Sequence, residues 1–483
     1  LKATRFPIAS YDPPELAVTA RTVGMAPVVD ADGEASGDHA ALLVKEVNSA
    51  ELSRLTVLNL GGVGIGTISG EALAHCSQVV RLDIGSNPLQ ELPEAIASMP
   101  SLRILFASKI GLSELPAMLA RCPCLRMLGI KENLLTSLDG KRLPACLEWL
   151  IAAGNNIREL PDISRLSHVR KLMLSHNELT CEALAPVAGI TDLEMLRVAA
   201  NRLESFPEAL LKHPRLAWVA VAGNPFTEEL LEQRLGPALD LVDFAEVELS
   251  GEKLGSGAGA TVWRAGWRGQ QVAAKIWESE RFSDGTARTE WAANCLAAQP
   301  GHPALVVVLG AFEVPQRGML LELLDNVRAA AGPPSFASVT RDTPGPQYSA
   351  VAATTIARAV AGALAYLHSL DILHGDVYLH NTLVMLDGLS ASPASVRDTR
   401  LSDFGGAALV ADPAMKRLEV RSFGWMLQDL LENLVPESPD VQDRDELAAR
   451  GLLRGLRERC GHHDVDELPT AAEVALALAP ESS

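Results

Sequence analysis

The chain has 483 residues, 48% apolar and 21% charged, with a formal net charge of −18. That length exceeds what one hydrophobic core organises and implies two or three domains. The acidic balance argues against nucleic acid or an anionic membrane as the main partner. Seven cysteines, an odd number with no CxxC pair, support neither a disulfide framework nor a zinc site. The expected setting is therefore reducing and cytoplasmic. No run of about 18 or more apolar residues stands out, so no membrane-spanning helix is expected.

Residues 1–38 carry several Pro, Asp and Gly without periodicity and read as a flexible segment. Over residues 39–244 a leucine-type position recurs at Leu55, Val79, Leu102, Leu125, Leu147, Val169, Leu193 and Leu216. The intervals are 22 to 24 residues, inside the range of leucine-rich repeats. Asparagine returns in phase at Asn87, Asn133, Asn155, Asn177, Asn201 and Asn224. A buried amide there can satisfy backbone groups left open where the chain leaves each strand. Proline after leucine, as at Leu92-Pro93, Leu115-Pro116 and Leu160-Pro161, stops the strand and directs the chain around the far side. An amphipathic helical domain would not repeat at about 23 residues with asparagine in phase.

The expectation is thus an α/β solenoid of eight repeats over about 55–226, capped by Ala40–Leu58 and Thr227–Phe244. The variable positions beside the strand leucines are Asn59, Arg81, Asp83, Lys131, Trp149, Lys171, Arg197 and Trp218. Singly, each reads best as solvated surface; as a group they form the concave face where a protein partner or substrate is expected to dock.

Beyond residue 244 the pattern changes. Residues 252–276 alternate in strand fashion around Gly255-Ser-Gly257-Ala-Gly-Ala260, whose glycines let backbone N–H groups approach phosphates. Lys275 ends the strand-like stretch Gln271-Val-Ala-Ala274. A helix predicted over Ala287–Ala298 carries Glu290, a carboxylate able to fix that lysine, whereas Glu278 and Glu280 lie too near in sequence. Leu320-Leu-Glu322-Leu-Leu324 reads as a further strand. Ile356, Val360, Leu364 and Leu367 recur at helical spacing. They lead into His374-Gly-Asp376-Val-Tyr-Leu-His380-Asn381, and Asp403-Phe-Gly405 follows. A lone glycine loop is weak, and a lysine at a strand end is ordinarily a surface residue. The order of the set is what carries weight.

Taken together, these motifs resemble those of protein kinases. The chain over roughly residues 50–478 resembles cytosolic leucine-rich repeat protein kinases of bacteria and fungi. Ser283-Asp-Gly285, Pro334-Ser-Phe336, Thr340-Arg-Asp342, the His-Gly-Asp form of the loop and Glu419-Val-Arg-Ser-Phe-Gly424 point there. The resemblance implies an α+β two-lobed kinase fold over residues 245–480, with an N-lobe of about 245–322 and a C-lobe of about 325–480. It implies ATP and Mg2+ as cofactors, and serine/threonine-directed transfer with the repeats choosing the partner. Asp376 would be the base, Lys275 with Glu290 would align phosphates, and Asn381 and Asp403 would hold metal. Leu254, Gly255, Ser256, Gly257, Val262, Ala273, Lys275, Glu322 and Leu324 would line the nucleotide, with backbone near Glu322 to Leu324 facing adenine.

Several positions depart from the family pattern. Gly375 replaces the arginine that pairs with a phosphorylated activation loop. Glu419 follows Gly405 by only 14 positions, with no APE-like triplet between, and Leu468-Pro469-Thr470 stands where an Arg-Pro pair normally answers that triplet. Glu419 is expected to open a large apolar helix in place of an aspartate. Tyr378 occupies the place of the lysine that neutralises the γ-phosphate. His380 reads equally well as a hydrogen-bond donor to the phosphate or as a residue that orients the loop. Two alternatives stay open: a nucleotide-binding pseudokinase or scaffold acting through the repeats, and a kinase of a small molecule. Retention of Lys275, Asp376, Asn381 and Asp403 favours an enzyme over a scaffold.

Overall fold

The computed structural model describes residues 17–19, 52–235, 241–257, 259–386, 395–436 and 443–480. Most of the 1–38 segment, the start of the first cap, Leu239 of the second cap and Ala258 of the glycine loop lie outside these residues. Within 1–38, Ala17–Thr19 forms a strand parallel to Val57–Asn59, where no element was expected. The chain divides into two compact units: Tyr11–Leu196 with Asn201–Leu203, and Arg197–Ala200 with Glu204–Ser483 in the other.

The first unit is built on short parallel strands laid side by side in chain order: Ala17–Thr19, Val57–Asn59, Arg81–Asp83, Ile104–Phe106, Met127–Gly129, Trp149–Ile151, Lys171–Met173 and Met195–Arg197, the last residue of which belongs to the other unit. The register sets Leu58, Leu82, Leu105, Leu128, Leu150 and Leu172 abreast, so one buried leucine from each strand stacks on the next. Strands of three residues cannot hold a sheet by hydrogen bonding alone. The leucine column and the returning 3₁₀ turns close the core behind them.

The recurrent asparagines do the polar work. Asn133 Nδ2 donates to the carbonyls of Ala107 and Ile130, both at 3.0 Å. Its Oδ1 accepts from the N–H groups of Ile110, Gly111 and Leu112 at 3.0–3.1 Å. Asn87, Asn155 and Asn177 repeat this bridging at their own turns. Backbone groups that the turns would leave buried and unpaired are satisfied by an asparagine side chain from the following turn.

In the other unit, an antiparallel sheet of five strands has the order Val247–Ser256, Ala260–Trp267, Gln270–Trp277, Gly318–Glu322, Val308–Phe312. The helix Ala287–Ala297 packs beside it, opened by Thr286, whose hydroxyl accepts from the Thr289 N–H at 3.1 Å. A helical half follows, cored by Ala350–Ser369 and Pro413–Glu432. The first of these is, by length and composition alone, apolar enough to cross a membrane, with a mean hydropathy of 1.5. Ile356, Val360, Leu364 and Leu367 are buried in the domain core, which accounts for its composition. The second helix begins at Pro413 rather than at Glu419, which sits within it.

Arg421 on that helix explains part of the Glu419–Gly424 motif. Its buried guanidinium donates to the carbonyls of His213, Leu216, His462 and His463 at 2.7–3.1 Å. Burial lowers it to about 10. It fastens the segment ahead of Trp218 to the helical half of the same unit.

Replacing Asn133 with Ala would strand five backbone groups in the core of the first unit. We expect it to cost about 2–3 kcal/mol of that unit's stability in denaturant titration. A loss below about 0.5 kcal/mol would show that these groups find other partners.

Candidate active site

Three strands bring the phosphate-facing residues abreast. Val262 pairs with Gly255 on one side and with Lys275 on the other. The loop between them is closed by Gly257 N–H donating to the Ala260 carbonyl at 2.9 Å. A Cβ on Gly257 would meet nothing within 4 Å, whereas one on Gly259 would strike the Phe282 ring at 2.8 Å. The open side at Gly257 is the approach for an anionic ligand; Gly259 is small because Phe282 packs under the loop. Ala273 is buried and in register with Leu321, while Leu254 and Ser256 are half-buried along the first strand.

Glu322 closes the strand Gly318–Glu322. Its N–H donates to the Val307 carbonyl at 2.9 Å, and its carboxylate takes the Val307 N–H at 3.0 Å and Arg400 at 3.3 Å. The N–H of Glu322 is thus spent inside the protein.

Lys275 Nζ is paired with Glu290 Oε1 on the helix Ala287–Ala297. The second oxygen of Glu290 accepts from Trp277 Nε1 at 2.9 Å. Burial would lower the Lys275 ammonium, but Glu290 and Asp403 outweigh it and hold it above the ordinary lysine value. Burial raises the Glu290 carboxyl, with Lys275 opposing. Asp403 Oδ1 lies 3.8 Å from Lys275 Nζ on an exposed side chain, which accepts the Gly405 N–H at 3.3 Å.

On the other wall, Asn381 Nδ2 donates to Asp376 Oδ2 at 2.9 Å and to the Asp376 carbonyl at 3.0 Å. Both residues are buried. Burial pushes the Asp376 carboxyl up, yet Arg197, His380 and His374 together bring it below its ordinary value, so it stands ionised. His374 Nε2 lies 3.0 Å from the Ser402 carbonyl, next to Asp403. Gly375 has φ +77°, and a Cβ there would sit 2.1 Å from the Gly406 carbonyl oxygen. No arginine fits this position. Its N–H instead donates to Glu419 Oε1 at 2.6 Å, and Glu419 Oε2 is 2.7 Å from His368.

The two departures within the loop are structural. Tyr378 is buried, and its hydroxyl donates to the Thr340 carbonyl at 2.9 Å. Burial, Asp376 and Asp342 push its phenol well above the ordinary range. His380 Nδ1 lies 2.6 Å from Asp342 Oδ1, and its N–H donates to Asp342 Oδ2 at 3.2 Å, which orients the loop.

Sequence reasoning missed three residues at this site. Arg197 Nη2 donates to Asp376 Oδ1 at 3.0 Å, and its Nη1 pairs with Asp284. Trp218 stacks on Tyr378 with centroids 4.8 Å apart and planes 3° off parallel, and its Nε1 donates to the Val377 carbonyl at 3.1 Å. The sequence places Arg197 and Trp218 among the projecting positions of the concave face; both are engaged by the catalytic loop. Asp284 belongs to the Ser283-Asp-Gly285 motif, which had no assigned contact. Repeat spacing identifies Arg197 and Trp218 as projecting, but nothing local says onto what.

The protein kinase domain family matches residues 249–439. The chain is similar to serine/threonine-protein kinase 10-A of Xenopus laevis, with 33% identity over 244 residues, 49% of this chain and 23% of the relative. It is also similar to a putative mitogen-activated protein kinase kinase kinase 7-like protein of Drosophila melanogaster, 28% identical over 229 residues, 42% of this chain and 54% of the relative. The chain spans about a quarter and about half the length of these two relatives. It carries a eukaryotic-type protein kinase domain, and the Lys275–Glu290 pair, Asp376, Asn381 and Asp403 fall inside the matched span.

The His380–Asp342 pair gives a pH signature. Burial lowers His380, but Asp342 raises it more, so its folded pKa lies above the ordinary value. The stabilisation is fully present below about pH 6.5 and is lost as pH rises through the raised folded value. The stability gap between wild type and His380→Gln should therefore shrink on going from pH 6 to pH 9 in thermal unfolding. A gap that widens with pH would contradict the assignment.

Proposed function

We propose that this chain is a Mg2+- and ATP-dependent protein kinase directed at serine or threonine. In this reading leucine-rich repeats over about 55–226 select the partner or substrate, and a kinase domain over 245–480 performs transfer in the cytoplasm. The observation that carries the catalytic part is that the two halves of the site are assembled together. Lys275 is paired with Glu290 while Asp376 and Asn381 are locked to each other. The in-phase asparagines and the stacked leucines support the repeat assignment.

The donor set suits a hard divalent cation. Asn381 spends Nδ2 on Asp376, so Oδ1 is the atom left to ligate, and the Asp403 carboxylate is 55% exposed. Held by Asn381 and Asp403, Mg2+ would supply positive charge against the negative charge building on the transferred group. The chain's own residues do the rest. Lys275, held by Glu290, orients the α- and β-phosphates. Asp376 accepts the proton of the attacking hydroxyl as that oxygen bonds to the γ-phosphorus, and the bond to the ADP oxygen breaks with its electron pair. Ionisation of Asp376 suits it to receive that proton.

The test is transfer from γ-labelled ATP with Mg2+ to a mixed peptide library presenting Ser, Thr and Tyr. Label is expected on Ser and Thr, and Asp376→Asn should lower the rate on the order of 10²–10⁴-fold. Wild-type transfer no faster than Asp376→Asn, or label confined to Tyr or to a small molecule, would refute this reading.

A further inference from the structure

We propose that Arg197 is a catalytic residue, supplying to the transferred phosphoryl group the positive charge that the catalytic loop lacks. The proposal rests on the kinase reading above. In the transfer, the substrate oxygen bonds to the γ-phosphorus, the bond to the ADP oxygen breaks, and the hydroxyl proton passes to Asp376. An anionic base and an anionic phosphoryl group must then stand within reach of one another. A fixed cation between them lowers that repulsion most where the charges are closest.

The loop from His374 to Asn381 contains no Lys or Arg. Tyr378 cannot take the part, because its ring lies under Trp218 and its hydroxyl is committed to the Thr340 carbonyl. Lys275, set by Glu290, is assigned above to the α- and β-phosphates rather than to the transferred group. Arg197, 179 residues ahead of the base, does reach it, with Nη2 3.0 Å from Asp376 Oδ1.

The guanidinium is fixed as well as near. Asp284 holds Nη1, with Ser283 Oγ at 3.4 Å, and the Arg197 side chain is 12% exposed. Asn381 takes Oδ2 of Asp376 while Arg197 takes Oδ1, so each oxygen has one donor and the carboxylate plane is set. Trp218 stacks on Tyr378, so the place of the loop cation is taken by an aromatic pair. A contact that merely blocked the base would have no need of the alignment pair, yet Lys275 and Glu290 are joined with Arg197 in place.

The experiment compares Arg197→Ala and Arg197→Lys with wild type in the full chain. Two readouts are used: transfer kinetics, and calorimetric binding of Mg-ATP against Mg-ADP, which needs no turnover. Arg197→Ala should lower kcat on the order of 10²–10³-fold with peptide KM little changed. It should also reduce the preference for ATP over ADP by about tenfold, the loss of one charge-assisted contact. Arg197→Lys should recover at least part of both. A raised or unchanged kcat in Arg197→Ala would overturn the proposal and assign Arg197 a blocking or purely structural part. An ATP-to-ADP preference unaltered by Arg197→Ala would overturn it as well. Should wild type transfer no faster than Asp376→Asn, the kinase reading fails on that arm alone, and the binding ratio still decides whether Arg197 meets the terminal phosphate. If Arg197→Ala does not fold, Arg197→Gln, of similar reach and no charge, takes its place.

Discussion

An ammonium and a carboxylate taken out of water together join the five-stranded sheet to the helix beside it. Lys275 and Glu290 expose 16% and 4% of their side chains, so each ion has lost most of its hydration. Such a pair gains little net stability over apolar residues of the same volume, yet removing one partner leaves a buried charge at a cost of about 3–5 kcal/mol. What the pair gives is geometry. Trp277 satisfies the second oxygen of Glu290, and Asp403 lies at the outer side of Lys275, so the ammonium is held at a point that the helix, the sheet and the Asp403 turn all define. The glycine loop, set one strand away through Val262, inherits its position from the same pair.

Much of this was legible in the sequence because the chemistry is local. A glycine-rich turn, a lysine at a strand end and an aspartate five residues before an asparagine are short-range patterns, and the structure brings Lys275, Glu290, Asp376, Asn381 and Asp403 into one unit. The asparagine phase likewise foretold which backbone groups the amides meet. What the sequence hid was long-range. Arg197 and Trp218 differ from other projecting repeat positions only in what lies opposite them, and no local periodicity encodes that. The start of the helix at Pro413 was missed for a related reason: the sequence around Asp412-Pro413 carries an N-cap and a first-turn proline, but family spacing drew attention to Glu419. That the Glu322 N–H is spent on Val307 was hidden as well, because a strand's hydrogen-bond partner cannot be read from the strand itself.

The departures from the usual kinase pattern become one arrangement once their contacts are traced. Where a regulated kinase would hold an arginine for a phosphorylated loop, Gly375 adopts a left-handed backbone against Gly406 and gives its N–H to Glu419. Glu419 is in turn paired with His368, and burial is outweighed by that histidine, so the carboxylate stays ionised below its ordinary range. Residues 406–418 contain no Ser, Thr or Tyr, so this segment offers no hydroxyl to phosphorylate. His380 is anchored on Asp342, Tyr378 on Thr340 and Trp218, and Asp376 on Arg197 and Asn381. The position that elsewhere answers a phosphorylated loop, and Asp376, Tyr378 and His380 after it, are set here by partners already in place. A buried polar contact of this kind is strong only when every member is satisfied, and these are satisfied by residues from distant parts of one compact unit. Order in the catalytic loop therefore depends on Arg197, Trp218 and the Arg421 anchor of the neighbouring segment, and less on covalent modification of the loop itself.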